Sequence, residues 1–210
     1  MARVDDYKES FRLASLELKK RDAAILAKAS GAEFSPEGGL IVPFLSNRYR
    51  VEIHPETNIC KINSSDEVPL PDRILIAHYL LGAGGKKTTG KLITFRQIPD
   101  GHFYFEAFQR RARDPFANFF GNNGRLFVRC AEIMGAVPVG IGDYGMEFPV
   151  FPHIRVQLVL WMGDEEFPPD ATILFDENIQ GLLPVEDIAV MSGSLVYRLI
   201  GLGRKMDSGA

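Results

Sequence analysis

Residues 151–176 read FPHIRVQLVLWMGDEEFPPDATILFD, and this stretch decides the fold. From Ile154 to Met162 the chain first alternates and then runs apolar through Val156, Leu158, Val159, Leu160 and Trp161. That is the pattern of a largely covered central strand. The strand stops at Gly163, where Asp164, Glu165 and Glu166 follow in succession, and a second apolar run from Ala171 to Phe175 ends in Asp176. Two apolar strands are therefore joined by a loop with no basic residue between Gly163 and Asp176.

Working outward, Pro184 opens a last helix with Glu186 and Asp187 in its first turn, where acids suit the helix dipole. Ile188, Met191, Leu195, Leu199 and Ile200 form its buried stripe, and the tail from Arg204 is expected to fray. Ser192-Gly193-Ser194 within it marks close helix packing. On the other side, Met146 to Val150 reads as a short strand, and the glycine-rich residues 135–145 before it as a flexible connection. Residues 103–134 carry short aromatic helices, broken at Asp114-Pro115 and again at Gly121-Asn122-Asn123-Gly124, that should cover one face of the sheet. Their arginines, Arg110, Arg111 and Arg113, face water or pair with the acidic loop.

In the front third, Asp5 or Asp6 caps a helix predicted to run to about Ala29 and to end at Gly31 in a left-handed conformation. Four short strands between Glu33 and Ile62 follow as an antiparallel meander, and a helix begins near Pro71 and ends at Gly82 or Gly84. The run LGAGGKKTTGK after it is not a phosphate loop: it follows a helix, and Gly85-Lys86 is succeeded by Lys87 instead of Ser or Thr. It reads as a mobile loop with two lysines.

These readings give an α+β fold: a mixed or antiparallel sheet with an N-terminal helix, aromatic-rich middle helices and a C-terminal helix. The expected organisation is a single domain over 1–210, comprising an N-terminal helix and meander (1–66), a helical middle (67–135), and the strand, acidic loop, strand and C-terminal helix (136–203). A chain of 210 residues with 46% apolar and 24% charged residues can build a core without disulfide or metal. The net charge of -3 argues against non-specific nucleic-acid binding. No secretory leader and no run of eighteen apolar residues is present, so the expected location is cytoplasmic, with no membrane partner. Cys60 and Cys130 stand far apart, without metal-ligand spacing, and read as buried small hydrophobes.

The segments ITFRQIPDGHFYFEAF (93–108), 151–176 and LLPVEDIAVM (182–191) resemble the uncharacterised family known as domain of unknown function 3786. The similarity spans about residues 90–200. The resemblance implies an anaerobic bacterial or archaeal setting with one-carbon or redox associations, and it supplies no activity or catalytic residue. Some longer relatives carry a cysteine-rich segment suggestive of an iron–sulfur cluster; with two cysteines, no such cluster can be held by one chain of this protein.

One candidate site emerges. Asp164, Glu165, Glu166, Asp170 and Asp176 lie close in sequence, and clustered carboxylates need arginines, backbone N–H groups or a hard cation to offset their repulsion. His153, Arg155, Arg96 and Asp143 are the residues of other segments that can join them. If the two strands pair, Asp164 and Asp170 approach each other across the loop. The loop then serves as architecture, holds Mg²⁺ or Mn²⁺, supports metal-assisted or acid–base catalysis, or recognises a basic partner. The corresponding functions are a binding or accessory protein for a small ligand or protein partner, with its concave surface between the aromatic helices and the acidic loop; a divalent-metal-assisted enzyme; or a homo-oligomeric structural protein. No GxSxG, HExxH or dinucleotide-binding fingerprint is present.

Overall fold

The acids of the loop between the two long strands lie at the rim of an antiparallel sheet whose inner face is the main core. The computed structural model describes the backbone over residues 2–84 and 88–208 and side chains over 5–84 and 88–207. Two N-terminal helices, α1 (Ala2–Leu18) and α2 (Ala23–Ser30), stand where one helix to about Ala29 is expected. Residues 19–22, KKRD, offer no apolar side chain to hold a helix on the core, and Asp22 Oδ1 instead accepts from the backbone N–H of Ala24 (2.8 Å) and Ile25 (3.1 Å). That cap satisfies orphan donors and starts a new helix. Asp5 and Asp6 lie inside α1, Asp5 in its first turn, and not at a position before the helix. Gly31 closes α2 at φ 71°, as its position predicts.

The meander is β1 (Glu33–Phe34), β2 (Leu40–Phe44), β3 (Asn47–Glu52) and β4 (Asn58–Lys61), antiparallel in that spatial order. Leu40, Val42 and Phe44 alternate inward, and Pro71 sits in the first turn of the following helix, α3 (Leu70–Gly82). The second sheet comprises β5 (Leu92–Thr94), β6 (Val137–Val139), β7 (Tyr144–Phe151), β8 (Ile154–Trp161) and β9 (Asp170–Asp176) in the order β5-β9-β8-β7-β6. The strand read as central is the central strand. β6 and the longer β7 occupy part of the region expected to be a flexible connection, because tertiary pairing of Val137, Pro138 and Val139 with Glu147, Met146 and Gly145 overrides the glycines.

Cross-strand register stacks Phe148, Val156 and Phe175 in one row and Met146, Leu158 and Ile173 in the next, all buried. Each such side chain contributes on the order of 1.5–3 kcal/mol when fully covered. The cover is helical. α4 (Gly101–Phe108), a π-helical segment (Gln109–Arg113) and α5 (Asp114–Phe120) form one continuous path, and α6 (Gly124–Ile133) follows the expected break. The wide π turn lies immediately before Pro115, where the helix ladder lacks an N–H donor in any case, so the predicted interruption at Asp114-Pro115 is absorbed.

α7 (Val185–Ser208) packs against α3, α4, the π segment, α5 and α6, and is helical over residues 204–208, the described part of the tail expected to fray. A β-carbon on Gly193 would lie 3.3 Å from the Arg111 carbonyl oxygen, so glycine lets α7 approach the π segment closely, and Ser192 donates to the Ile188 carbonyl at 2.8 Å. α3 is tied to α7 by the ion pair of Asp72 with Arg198 (2.5 Å), and Arg198 lies 5.1 Å from the ring centroid of Phe44. The two sheets meet where Phe44 stacks on Phe151 (4.6 Å between centroids), Phe151 on Tyr79 (4.2 Å), and Leu45 N–H donates to Val150 O (2.8 Å). Buried side chains of both sheets belong to one continuous apolar cluster.

Candidate functional site

β8 and β9 pair with Trp161 opposite Asp170, so the acidic loop closes a hairpin. Within it Asp164 Oδ1 accepts from Phe167 N (2.7 Å) and Glu166 N (2.9 Å), and Asp164 N donates to Phe167 O (2.9 Å). These donors hold the Asp164 carboxyl below its ordinary range, the Phe167 N–H most strongly. Glu165 and Glu166 are exposed, and their side chains make no hydrogen bond or ion pair with a described residue. The loop is seated, since a β-carbon on Gly121 would come within 2.5 Å of the Pro169 ring and one on Gly163 within 2.8 Å of it.

Asp170 is paired with Arg113, whose Nε donates to Ala171 O (3.2 Å) and whose Nη1 donates to Asp114 (2.9 Å). Asp114 and Asp170 raise the Arg113 pKa further above its already high range, Asp114 first, against an opposing effect of burial. Asp176 lies six residues further along β9, about 20 Å away at roughly 3.3 Å per residue. It is 2% exposed, and its carboxylate accepts from Thr89 N (3.0 Å to each oxygen), Thr89 Oγ1 (3.0 Å), Gly90 N (2.7 Å) and Asn178 N (2.9 Å). Burial pushes its pKa up, and these bonds together outweigh burial, leaving a net lowering.

The sequence-derived set therefore divides in two. Asp164, Glu165, Glu166 and Asp170 stand at one end of the hairpin; Asp176, His153 and Arg155 stand at the other. His153 occupies the β7–β8 turn, where its N–H donates to Tyr79 Oη (3.2 Å) and its carbonyl accepts from Asn178 Nδ2 (3.0 Å). Arg155 is exposed opposite Pro149. Arg96 joins neither group by an ion pair: its guanidinium lies 3.9 Å from the ring centroid of Phe105. Among the described residues no three His, Cys, Asp or Glu side chains are grouped to hold a metal ion. Lys86 and Lys87 of the predicted mobile loop lie outside the described residues; beyond them Thr89 and Gly90 are clasped by Asp176.

Beside the acidic hairpin runs a cleft of about 510 Å³. β5 pairs only with Leu174, Phe175 and Asp176, so among the described residues Asp170 to Ile173 have no neighbouring strand on that side. Phe105, Phe108 and Gln109 form the opposite wall, and Trp161, 38% exposed, and Thr172 lie on the sheet side. Phe108 is held by stacking on Phe95 at 4.2 Å. Arg113 closes one end, with three of its five N–H donors committed in the bonds above. Arg113 and Trp161 are the residues that the sequence-derived set lacks; the arginine-rich aromatic helix was the available signal, but only the fold aims Arg113, of its three arginines, at Asp170.

The fold and this site define an α+β protein of two antiparallel sheets, with an apolar cleft at the open edge of the larger one. No described helix is long and apolar enough to cross a membrane. Residues 22–198 match the family described as Domain of unknown function (DUF3786), and the chain belongs to that family. No curated protein and no solved structure matches the chain.

Proposed function

We propose that this is a binding or accessory protein whose ligand site is the cleft between the aromatic helix and β9. The observation that carries this reading is the cleft itself: about 510 Å³, walled by Phe105, Phe108 and Trp161, with Thr94, Gln109, Thr172, Arg113 and the Asp170 carboxylate that Arg113 neutralises as its polar groups. A concave, mostly apolar surface with a small number of placed donors suits a small ligand with an aromatic or aliphatic body and an acceptor group. The carboxylates that a metal-assisted reaction would need at this hairpin do not converge: Asp164 holds its own loop and Asp170 holds Arg113.

Trp161 is the only tryptophan of the chain, so its emission reports on the cleft. Titrating aromatic carboxylates and neutral aromatic fragments into the protein should change that emission saturably. Thr172→Phe, which fills the cleft from the sheet side, should abolish the change. A saturable response that persists in a folded Thr172→Phe protein, or no response to any fragment, would refute the assignment.

A further inference from the structure

A second polar feature lies on the far side of α3, unconnected with the acidic hairpin. His78 Nδ1 is 2.5 Å from Asp187 Oδ2, joining α3 to the first turn of α7 across 109 positions of sequence. The side chains are 23% and 12% exposed, so the pair is mostly covered yet reachable. A carboxylate only accepts, so Nδ1 carries the proton, and the neutral form of a ring held in this way has its lone pair on Nε2. No described residue hydrogen-bonds Nε2.

The pair borders a cleft of about 200 Å³, smaller than the roughly 300–1,000 Å³ of pockets for drug-sized ligands. Its floor is apolar, from Ile74, Leu75 and Val190; Tyr7 supplies an aromatic wall; Asp6 and Glu186 add carboxylates beside Asp187. Among the described residues neither lysine nor arginine lines it. An anion would meet three carboxylates there, whereas a small cation gains from them and from the tyrosine ring.

We propose that this cleft binds a small primary or secondary ammonium ligand, whose N–H donates to His78 Nε2 and whose alkyl body lies on Ile74, Leu75 and Val190. Asp187 is a positioning residue that holds the imidazole in the accepting tautomer. The register of α3 on α7 is set separately by Asp72 and Arg198, so the His78 pair can be altered without removing that tie.

The test is calorimetric titration of the full chain with butylamine, with butyrate as its anionic match and with tetramethylammonium as a cation lacking N–H. Saturable binding of butylamine alone is expected, weakened about tenfold or more in His78→Phe, which removes the acceptor. Glu186→Gln, an exposed change that leaves the helix contact intact, should weaken it to a smaller degree and so provides a reading even if His78→Phe folds poorly. Equal binding of butyrate or tetramethylammonium, unchanged affinity in both variants, or no saturable heat at millimolar butylamine would overturn the proposal.

Discussion

Changing Asp176 to Asn should destabilise the protein markedly, although the substitution alters a single atom. The carboxylate is almost wholly covered and receives every one of its bonds from the loop at Thr89 and Gly90 or from Asn178. In the variant one oxygen can still serve Thr89 Oγ1 and Asn178 N. The new amide then presents its own N–H groups to Gly90 N–H, leaving a covered donor without an acceptor, which costs about 1–3 kcal/mol. The surviving bonds also lose their charge assistance. The sum is about 2–4 kcal/mol, and for a chain of this length that lowers the melting temperature by roughly 5–15 °C.

Urea and thermal unfolding at several pH values measure it. Because the folded pKa of Asp176 is lowered, its stabilisation is fully present above the unfolded value of about 3.9 and is lost as pH falls through the folded one. The gap between wild type and variant should therefore be widest near neutrality and close at acid pH. A variant as stable as wild type at neutral pH, or more stable, would refute the reasoning and mark Asp176 as a residue retained for function at the expense of stability.

Two further substitutions test the packing around α3. A β-carbon at Gly82 would lie 2.3 Å from the Leu182 carbonyl oxygen, so Gly82→Ala must displace backbone and should cost about 1–3 kcal/mol in chemical denaturation; a neutral result would mean that residues 181–184 yield freely. Arg198→Ala leaves Asp72, whose side chain is 8% exposed, without its partner and should cost about 3–5 kcal/mol. Burial pushes the Asp72 pKa up and Arg198 pulls it partly back; removing the arginine raises it further, so the variant's deficit should narrow as acidification protonates Asp72. A deficit that does not change with pH would contradict the pairing.

Local patterns that need no partner were legible in the sequence. The apolar run from Val156 to Trp161 marked a central strand because only a strand with neighbours on both sides tolerates it, and Gly31 marked a helix end because its φ of 71° suits glycine. The break at residues 19–22 was also local, yet it was missed: Asp22 has the chemistry of a cap, and the absence of an apolar residue from Lys19 to Asp22 was its companion signal. Which acid meets which donor belongs to tertiary structure. Asp164 and Asp176 are near in sequence, but β9 places them at opposite ends of a hairpin, because an extended strand separates its ends by several ångströms per residue. His78 and Asp187 are remote in sequence, and only the packing of α7 on α3 brings them within hydrogen-bonding distance. Sequence by itself determined the longer strands and helices and their inward faces, which depend on periodicity, but not β6, which exists only through its pairing with β7; the pairings that build both clefts depend on register and helix packing, which no local pattern encodes.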